Sequence, residues 1–425
     1  MLDIKTLRNA PEQAAANWKR RGLEVNVSEL LELDDTRRAL IVEGEQLQAQ
    51  RNSESKRIGQ LKKAGEDASE AMEAVRAIGQ RISELGAERE QAEANLNERL
   101  LSLPNFPHES TPEGLTPEDN PVLRSWGEPK DYDFECKPHW ELAEQLGIFE
   151  FERAAAISGA GFSCLTGQAA KLSRALISFM LDLHTSKHGY QEVAAPFLVN
   201  DTALLGTGQL PKFSEELYRI PEDDLWLIPT AEVPLTNLYR EHIFAADELP
   251  KGLCGHTPCF RREAGAAGKM TRGMNRLHQF DKVELVKFVK ASESYDELET
   301  LTGHAEAVLQ ALGLHYRVIA LCGGDLGFSS AKTYDIELWA PGQQAWLEVS
   351  SCSNFEDFQT RRAKIRVRNE QGKPELAHTL NGSGVALPRL LVAILEQGQQ
   401  ADGSVQLPEA LKPYWGDAPL SISIP

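Results

Sequence analysis

Between Cys259 and Leu285 the sequence gathers side chains suited to holding a nucleotide and an amine side by side. Cys259-Phe260-Arg261-Arg262-Glu263 stands on one side and Gln279-Phe280-Asp281-Lys282-Val283-Glu284-Leu285 on the other. The guanidiniums of Arg261 and Arg262 can grip phosphate oxygens in pairs, and the carboxylates of Glu263 and Glu284 can receive an ammonium or amine donors. Phe280 offers a flat face on which a base can stack. Large and polar residues alternate on both sides, which predicts two strands of a hairpin. Gly265, Gly268 and Gly273, interleaved with Lys269, Arg272 and Arg276, predict a loop joining them. The same composition would suit an ordinary charged surface hairpin, so the rest of the chain has to decide.

Other stretches carry matching chemistry. Thr230-Ala231-Glu232 follows the short apolar strand Leu225-Trp226-Leu227-Ile228-Pro229. On an extended chain Thr230 and Glu232 share a side and could receive an α-ammonium group; alternatively Thr230 caps a helix that begins at Glu232. Ala345 to Asn354 reads as a strand with Glu348 and Ser350 on one face and Ser351 on the other unless the strand ends there. A carboxylate with hydroxyls suits magnesium, which takes few protein ligands beside water and phosphate oxygens. Leu380-Asn381-Gly382-Ser383-Gly384 reads as a tight turn, and Pro388-Arg389 then opens an apolar helix whose N-terminus and arginine both favour a phosphate chain.

Some motifs lead nowhere. His184 and His188 have a metal-ligand spacing but no third ligand in order, so a structural role is expected. Gly159-Ala160-Gly161-Phe162 lacks the strand, turn and helix of a dinucleotide fingerprint, and no phosphate-loop lysine motif occurs.

The elements positioning these residues follow from pattern. Residues 1 to about 27 read as a helical lead-in, started by Pro11-Glu12 and stopped by Gly22. Ser28 to Leu103 holds no proline. Leu33, Leu40, Leu47 and Leu61 keep a heptad phase with Glu54 in the missing place, and Val75, Ile78, Ile82 and Leu85 resume it after Lys62-Lys63-Ala64-Gly65-Glu66-Asp67. Leu96, Leu100 and Leu103 continue that stripe. Two long helices and a polar turn predict an antiparallel coiled-coil hairpin. It could be structural or dimerising; its tip also concentrates Arg51, Lys56, Arg57, Lys62 and Lys63, where a polyanion could be met. Pro104, Pro107, Pro112, Pro117 and Pro121 mark a non-helical linker. Mixed helix and strand follow, including amphipathic Gln168–His184 and the turn into strand from Gly189 to Pro196.

Length and composition bound the whole. At 425 residues there is room for two domains or three and at least one large core. A net charge of −18 disfavours indiscriminate nucleic-acid binding while leaving room for a local basic patch. The start is charged from Asp3 onward without an apolar stretch, which speaks against a secretory signal, and no run is long enough to span a bilayer. The six scattered cysteines, without CxxC pairs, fit reduced thiols in a cytoplasmic protein rather than disulfides or a zinc site.

In this order, over essentially the whole length, the motifs resemble those of the class II aminoacyl-tRNA synthetases and, more narrowly, the bacterial-type seryl-tRNA synthetase family. Gly189–Pro196 looks like motif 1, Phe260 through Glu284 like motif 2, and Asn381 through Arg389 like motif 3. Thr230-Ala231-Glu232 matches the TxE element; with HTLNGSG and the long arm it narrows the class to serine. The zinc-dependent archaeal branch is a poor match, so no zinc is expected.

The resemblance implies an α+β fold: an antiparallel β-sheet catalytic domain flanked by helices over 122–425, a linker over 104–121 and a tRNA-binding helical arm over 1–103. It implies ATP-dependent attachment of L-serine to tRNA(Ser) through seryl-adenylate, and to tRNA(Sec) where the host has one. Arg261 and Arg389 would be catalytic. Arg261 would hold the α-phosphate and Arg389 the distal phosphates, while Glu263 would take the adenine amino group and Phe280 would stack on its ring. Glu348, Val349, Ser350 and Ser351 would complete the ATP site, with Glu348 and Ser351 on Mg2+. Arg262 adjoins them where the family varies. Thr230, Ala231, Glu232, Glu284 and Ser383 would surround serine, and Lys269, Arg272 and Arg276 would face the incoming acceptor end. Motif 1 would form a homodimer, in the cytoplasm and away from membranes. A carrier-loading paralogue would lack the arm, and a catalytically dead RNA-binding homologue would not need Arg261, Glu263, Glu348 and Arg389.

Overall fold

The structure is a computed structural model that describes residues 1–264 and 272–421. Contacts divide the chain into two units: Leu2–Lys19 with Leu23–Pro104, and Met1 and Arg20–Gly22 with Asn105–Pro425.

In the first unit, short helices α1 (Ile4–Asn9) and α2 (Pro11–Arg20) precede two long ones, α3 (Val27–Ala64) and α4 (Ser69–Leu101). Asn26 caps α3 by accepting from the Glu29 N–H, and Gly65 ends it with a φ of 76° that any side chain would resist. The two long helices pack as an antiparallel hairpin. Ala71, Ile78 and Leu85, seven apart, are buried along its seam with Leu96 and Leu100. Leu33, Leu40, Leu47 and Leu61 are only half-buried, because each helix has a single long neighbour to cover it. Arg81 ties the pair across its polar edge to Glu43 at 3.1 Å. Lys56, Lys62 and Lys63 at the tip are exposed, and Arg57 is 3.5 Å from Glu54.

The second unit is built on an eight-stranded sheet. Its strands in chain order are β1 (Val122–Trp126), β2 (Gln191–Glu192), β3 (Lys251–Phe260), β4 (Gln279–Val289), β5 (Tyr316–Ala320), β6 (Lys332–Ala340), β7 (Ala345–Asn354) and β8 (His378–Ala386). They lie in the order β1-β5-β6-β7-β8-β4-β3-β2. Every pair is antiparallel except β2 with β3, the expected motif 1 strand beside the hairpin. One face is apolar and covered by helices α6 (Gly167–Lys187), α8 (Ser294–Ala311) and α10 (Leu387–Gly398). Leu172, Leu176, Leu298, Leu301, Leu390 and Ile394 meet Val283, Leu285, Ile336, Leu338 and Leu380 there in one core. The opposite face of the same strands is left free to carry polar groups.

One expectation is corrected. Leu380–Gly384 is not a turn but the middle of β8, paired with β4 from His378↔Val289 to Ser383↔Glu284. Its glycines are there for closeness: a Cβ on Gly382 would lie 2.5 Å from Leu301 Cδ2, and one on Gly384 2.6 Å from His184 Nε2. From Asn105 onward the proline-rich stretch is packed within the second unit. Asn105 donates to Ser329 O and Phe355 O at 3.0 and 2.9 Å, and Thr111 to Ala331 O at 2.9 Å.

His184 and His188 face each other through Nδ1 atoms 3.0 Å apart, and His188 stacks on His304 at 4.1 Å. Among the described residues no group of three or more His, Cys, Asp and Glu is arranged to hold a metal ion, and no helix is long and apolar enough to cross a membrane. The six cysteines are free thiols.

Candidate active site

The polar face of the central strands floors a cavity of about 690 Å³. Strands β3 and β4 pair from Lys251↔Phe288 to Phe260↔Gln279, so Phe280, Lys282 and Glu284 project in alternation to one side of β4. Beside them β8 presents Asn381 and Ser383, and α7 (Glu232–Asn237) begins at the edge of the same space. Thr230, Glu232, Arg261, Glu263, Glu348, Val349, Ser351 and Arg389 line it as well.

Two of the acids are tied into one network. The Thr230 hydroxyl donates to Glu284 Oε2 at 2.8 Å and receives Lys282 Nζ at 3.0 Å, while Lys282 is also ion-paired with Glu284. Asn381 Nδ2 donates to Glu284 Oε1 at 3.3 Å. Thr230 therefore does two of the things its sequence allowed. Glu232 is the first residue of a helix, and its N–H points at Thr230 Oγ1 from 3.3 Å, yet the same hydroxyl belongs to the acid cluster. Glu232 is buried and receives Gln359 Nε2 at 2.5 Å. Burial first, and the Glu284 carboxylate second, push Glu232 up to about 7. A cationic ammonium entering between these acids would relieve that cost.

The arginines line the same cavity. Arg261 Nε donates to Pro229 O at 3.1 Å and its guanidinium sits 5.2 Å over the Phe280 ring. Arg389, in the first turn of α10 behind Pro388, donates from Nη1 to Glu348 O at 2.6 Å and from Nε to Asn275 O at 3.1 Å. Glu263 holds a left-handed φ of 51° and receives Arg276 Nη1 at 2.9 Å. Arg276 is thus engaged inside the site, and Arg272 lies 4.6 Å over the Trp140 ring. Gly265, Gly268 and Lys269 lie outside the described residues.

Strand β7 resolves the question of Glu348 and Ser351. The β6–β7 register runs Asp335↔Ser351 and Ile336↔Ser350, then shifts to Glu337↔Glu348. This bulge adds one residue and turns both Val349 and Ser350 inward, so Glu348 and Ser351 come to the same face after all. Below them is Asp335, whose Oδ1 is buried without a hydrogen-bond partner. Burial and then the Glu348 carboxylate raise its proton affinity well above the ordinary carboxylate range. That surplus of acid beside a hydroxyl fits a divalent cation.

Three expected residues do not present their side chains to the cavity. Ser350 donates to Ser383 O at 2.6 Å on the buried side of the bulge. Arg262 turns away, with Nε on Leu217 O at 3.1 Å and its guanidinium over the Tyr218 ring at 5.2 Å. Ala231 is fully buried between Thr230 and Glu232. Four residues were missed. Lys282 and Asn381 could have been found from alternation with Glu284 and Ser383, and Asp335 as an acid opposite a hydroxyl. Nothing local in the sequence marks Gln359.

Residues 213–398 match the tRNA synthetase class II core domain (G, H, P, S and T), and residues 1–107 match the Seryl-tRNA synthetase N-terminal domain. The chain is 53% identical over 416 residues to Serine–tRNA ligase of Pelotomaculum thermopropionicum, covering 98% of this chain and 99% of that one. The chain belongs to the seryl-tRNA synthetase family. The seryl-tRNA synthetase of Pyrococcus horikoshii, complexed with ATP, superposes with a TM-score of 0.93 at 37% identity, covering 99% of this chain and 100% of that one. The cytoplasmic Serine-tRNA ligase of Naegleria fowleri, in complex with AMP, gives 0.89 at 29% identity, covering 100% and 99%. As a seryl-tRNA synthetase, the chain is a ligase of class II architecture with the long N-terminal helical arm, the fold its motifs led us to expect. Its cavity faces the antiparallel sheet where motifs 2 and 3 adjoin.

Proposed function

We propose that this chain joins L-serine to tRNA(Ser) in two steps, with ATP consumed in the first. The observation that carries the reading is that one cavity is lined by an acidic pair, Glu232 and Glu284, and by an arginine pair, Arg261 and Arg389. Serine supplies an ammonium and a hydroxyl to the first, and ATP supplies phosphates to the second.

Glu232, Glu284 and Thr230 hold the serine amino and hydroxyl groups, with Ser383 closing the pocket. The serine carboxylate oxygen attacks the α-phosphorus in line; a new P–O bond forms and the bond to pyrophosphate breaks. Arg261 stabilises charge on the α-phosphate, Arg389 neutralises the departing phosphates, Phe280 stacks the adenine and Glu263 takes its amino group. The chain contributes positioning and electrostatics, without a covalent nucleophile. Glu348 and Ser351, above Asp335, would hold magnesium, whose charge offsets that of the phosphates. The 3′-hydroxyl of the tRNA's terminal adenosine then attacks the activated carbonyl, and AMP leaves. Selectivity rests on the substrate hydroxyl, since a pocket built to hydrogen-bond it rejects the analogue lacking it by roughly 10⁴-fold.

The arm over 1–103 grips the tRNA's long variable arm, an arrangement that also admits tRNA(Sec); its exposed tip lysines support this. The linker over 104–121 connects it to a catalytic domain over 122–425. Two chains pair through motif 1, a reading supported by the exposed Phe197 and Leu198 immediately after it, and the enzyme works in the cytoplasm.

Amino-acid-dependent ATP–pyrophosphate exchange across the twenty amino acids tests the chemistry. Serine alone should support it; exchange with another amino acid, or with none, overturns the reading. Deleting residues 28–103 should spare exchange and abolish tRNA charging, and equal loss of both would count against the arm's role.

A further inference from the structure

Glu284 sits close enough to Glu232 to raise its cost of ionisation, yet the two acids are held differently. Glu284 has an ion pair with Lys282. Glu232 has no ion pair among the described residues, and the group that holds it is the neutral amide of Gln359 on α9 (Phe358–Ala363).

That amide is fully buried and its polar atoms are all engaged. Nε2 donates to Glu232 Oε1 at 2.5 Å and to the Thr207 carbonyl at 3.3 Å, while Oε1 accepts from Thr379 Oγ1 at 2.7 Å. A carbonyl oxygen can only accept, so Thr207 alone dictates which end of the amide faces Glu232. Thr379 stands on β8 on the same face as Asn381 and Ser383, at every second position. One strand face therefore orients both acids: Asn381 acts directly on Glu284, and Thr379 acts through Gln359 on Glu232.

We propose that Gln359 is a positioning residue for amino-acid recognition, holding one oxygen of Glu232 so that the carboxylate is presented to the substrate ammonium or hydroxyl in a single orientation. This rests on the reading of Glu232 as part of the serine site. Thr379 is the outer member of the relay, holding in place the amide that Thr207 orients.

The test is serine-dependent ATP–pyrophosphate exchange with full-length Gln359→Met, Thr379→Val and Glu232→Gln. Gln359→Met keeps length and loses both donors, so the KM for serine should rise roughly 10- to 100-fold, the range for a hydrogen bond to a charged group. The KM for ATP should stay within about twofold. Loss of the donated hydrogen bond should also move the pH dependence of the serine KM to higher pH, which a packing defect would not do. Thr379→Val should raise the serine KM several-fold, and it decides the matter alone if Gln359→Met does not fold. An unchanged serine KM and pH profile in the folded variants overturns the positioning role. An unchanged serine KM in Glu232→Gln overturns instead the underlying reading of Glu232, whatever Gln359→Met does.

Discussion

The Thr230 hydroxyl and the Glu284 carboxylate, 54 positions apart in the chain, meet at 2.8 Å on the floor of the cavity. Lys282 touches both, so removing the Glu284 charge leaves a buried ammonium without its counter-ion. Breaking a buried hydrogen-bonded charge pair costs about 2–5 kcal/mol. Glu284→Gln should therefore lower serine-dependent pyrophosphate exchange at subsaturating serine by roughly 30-fold or more. Thr230→Val, which removes a hydroxyl but no charge, should cost about tenfold. Equal effects on the KM values for ATP and serine would argue for collapse of the site instead.

Serine binding should depend on pH through Glu232, held at about 7 by burial and then by Glu284. Its ionised form receives the substrate, so the KM for serine should climb about tenfold per pH unit below that value and level off above it. The linkage to stability has the opposite direction. The folded value lies above the ordinary 4.5, so the native state holds this proton more tightly than the unfolded chain does. That contribution is full below about 4.5 and is lost as the pH rises through about 7. Added serine should restore more stability at pH 8 than at pH 6, measured as the shift in thermal midpoint.

Arg389 is already oriented before phosphate arrives, by the carbonyls of Glu348 and Asn275. A lysine keeps the charge but loses the planar fork that makes both contacts. Arg389→Lys should reduce the exchange rate about 10²- to 10³-fold, with the KM for serine little changed. A loss below tenfold would show that charge alone suffices there.

The histidine cluster behind motif 1 predicts acid sensitivity. Burial pushes His184 down to about 4 and His304 to about 3, and lowers His188 between them. Tyr190, which packs against these rings, and Lys287, over the Tyr190 ring, add no negative charge. Folded values below the ordinary 6.5 mean that the unfolded chain binds more protons. Their stabilisation is complete above about 6.5 and should decline as the pH falls towards 4, by up to ~1.4 kcal/mol per pH unit for the buried His184 and by less for its more exposed neighbours. Urea midpoints at pH 7.5, 6 and 5 would show this, and His304→Phe should flatten the dependence.

Gly384 lies against the same cluster. A methyl group there would sit 2.6 Å from His184 Nε2 and 3.1 Å from Leu285 Cγ, so Gly384→Ala should destabilise the catalytic unit by about 1–3 kcal/mol. An unchanged denaturation midpoint would show that the ring yields freely.

The sequence by itself determined the elements and the inventory of chemistry. Heptad spacing is enough to specify the arm, and strict alternation on β4 puts Phe280, Lys282 and Glu284 on one side whatever the surroundings. What it could not determine was relative placement. Whether Glu348 and Ser351 share a face depends on a bulge against β6, which no periodicity within β7 reveals. The glycines of β8 mimic a turn locally, and only the approach of Leu301 and His184 shows that they are there for clearance. Gln359 acts on Glu232 from 127 positions away, and Asp335 matters only once Ser351 is opposite it. Such contacts between distant segments arise when strands are laid in order and register, which is a property of the packed sheet.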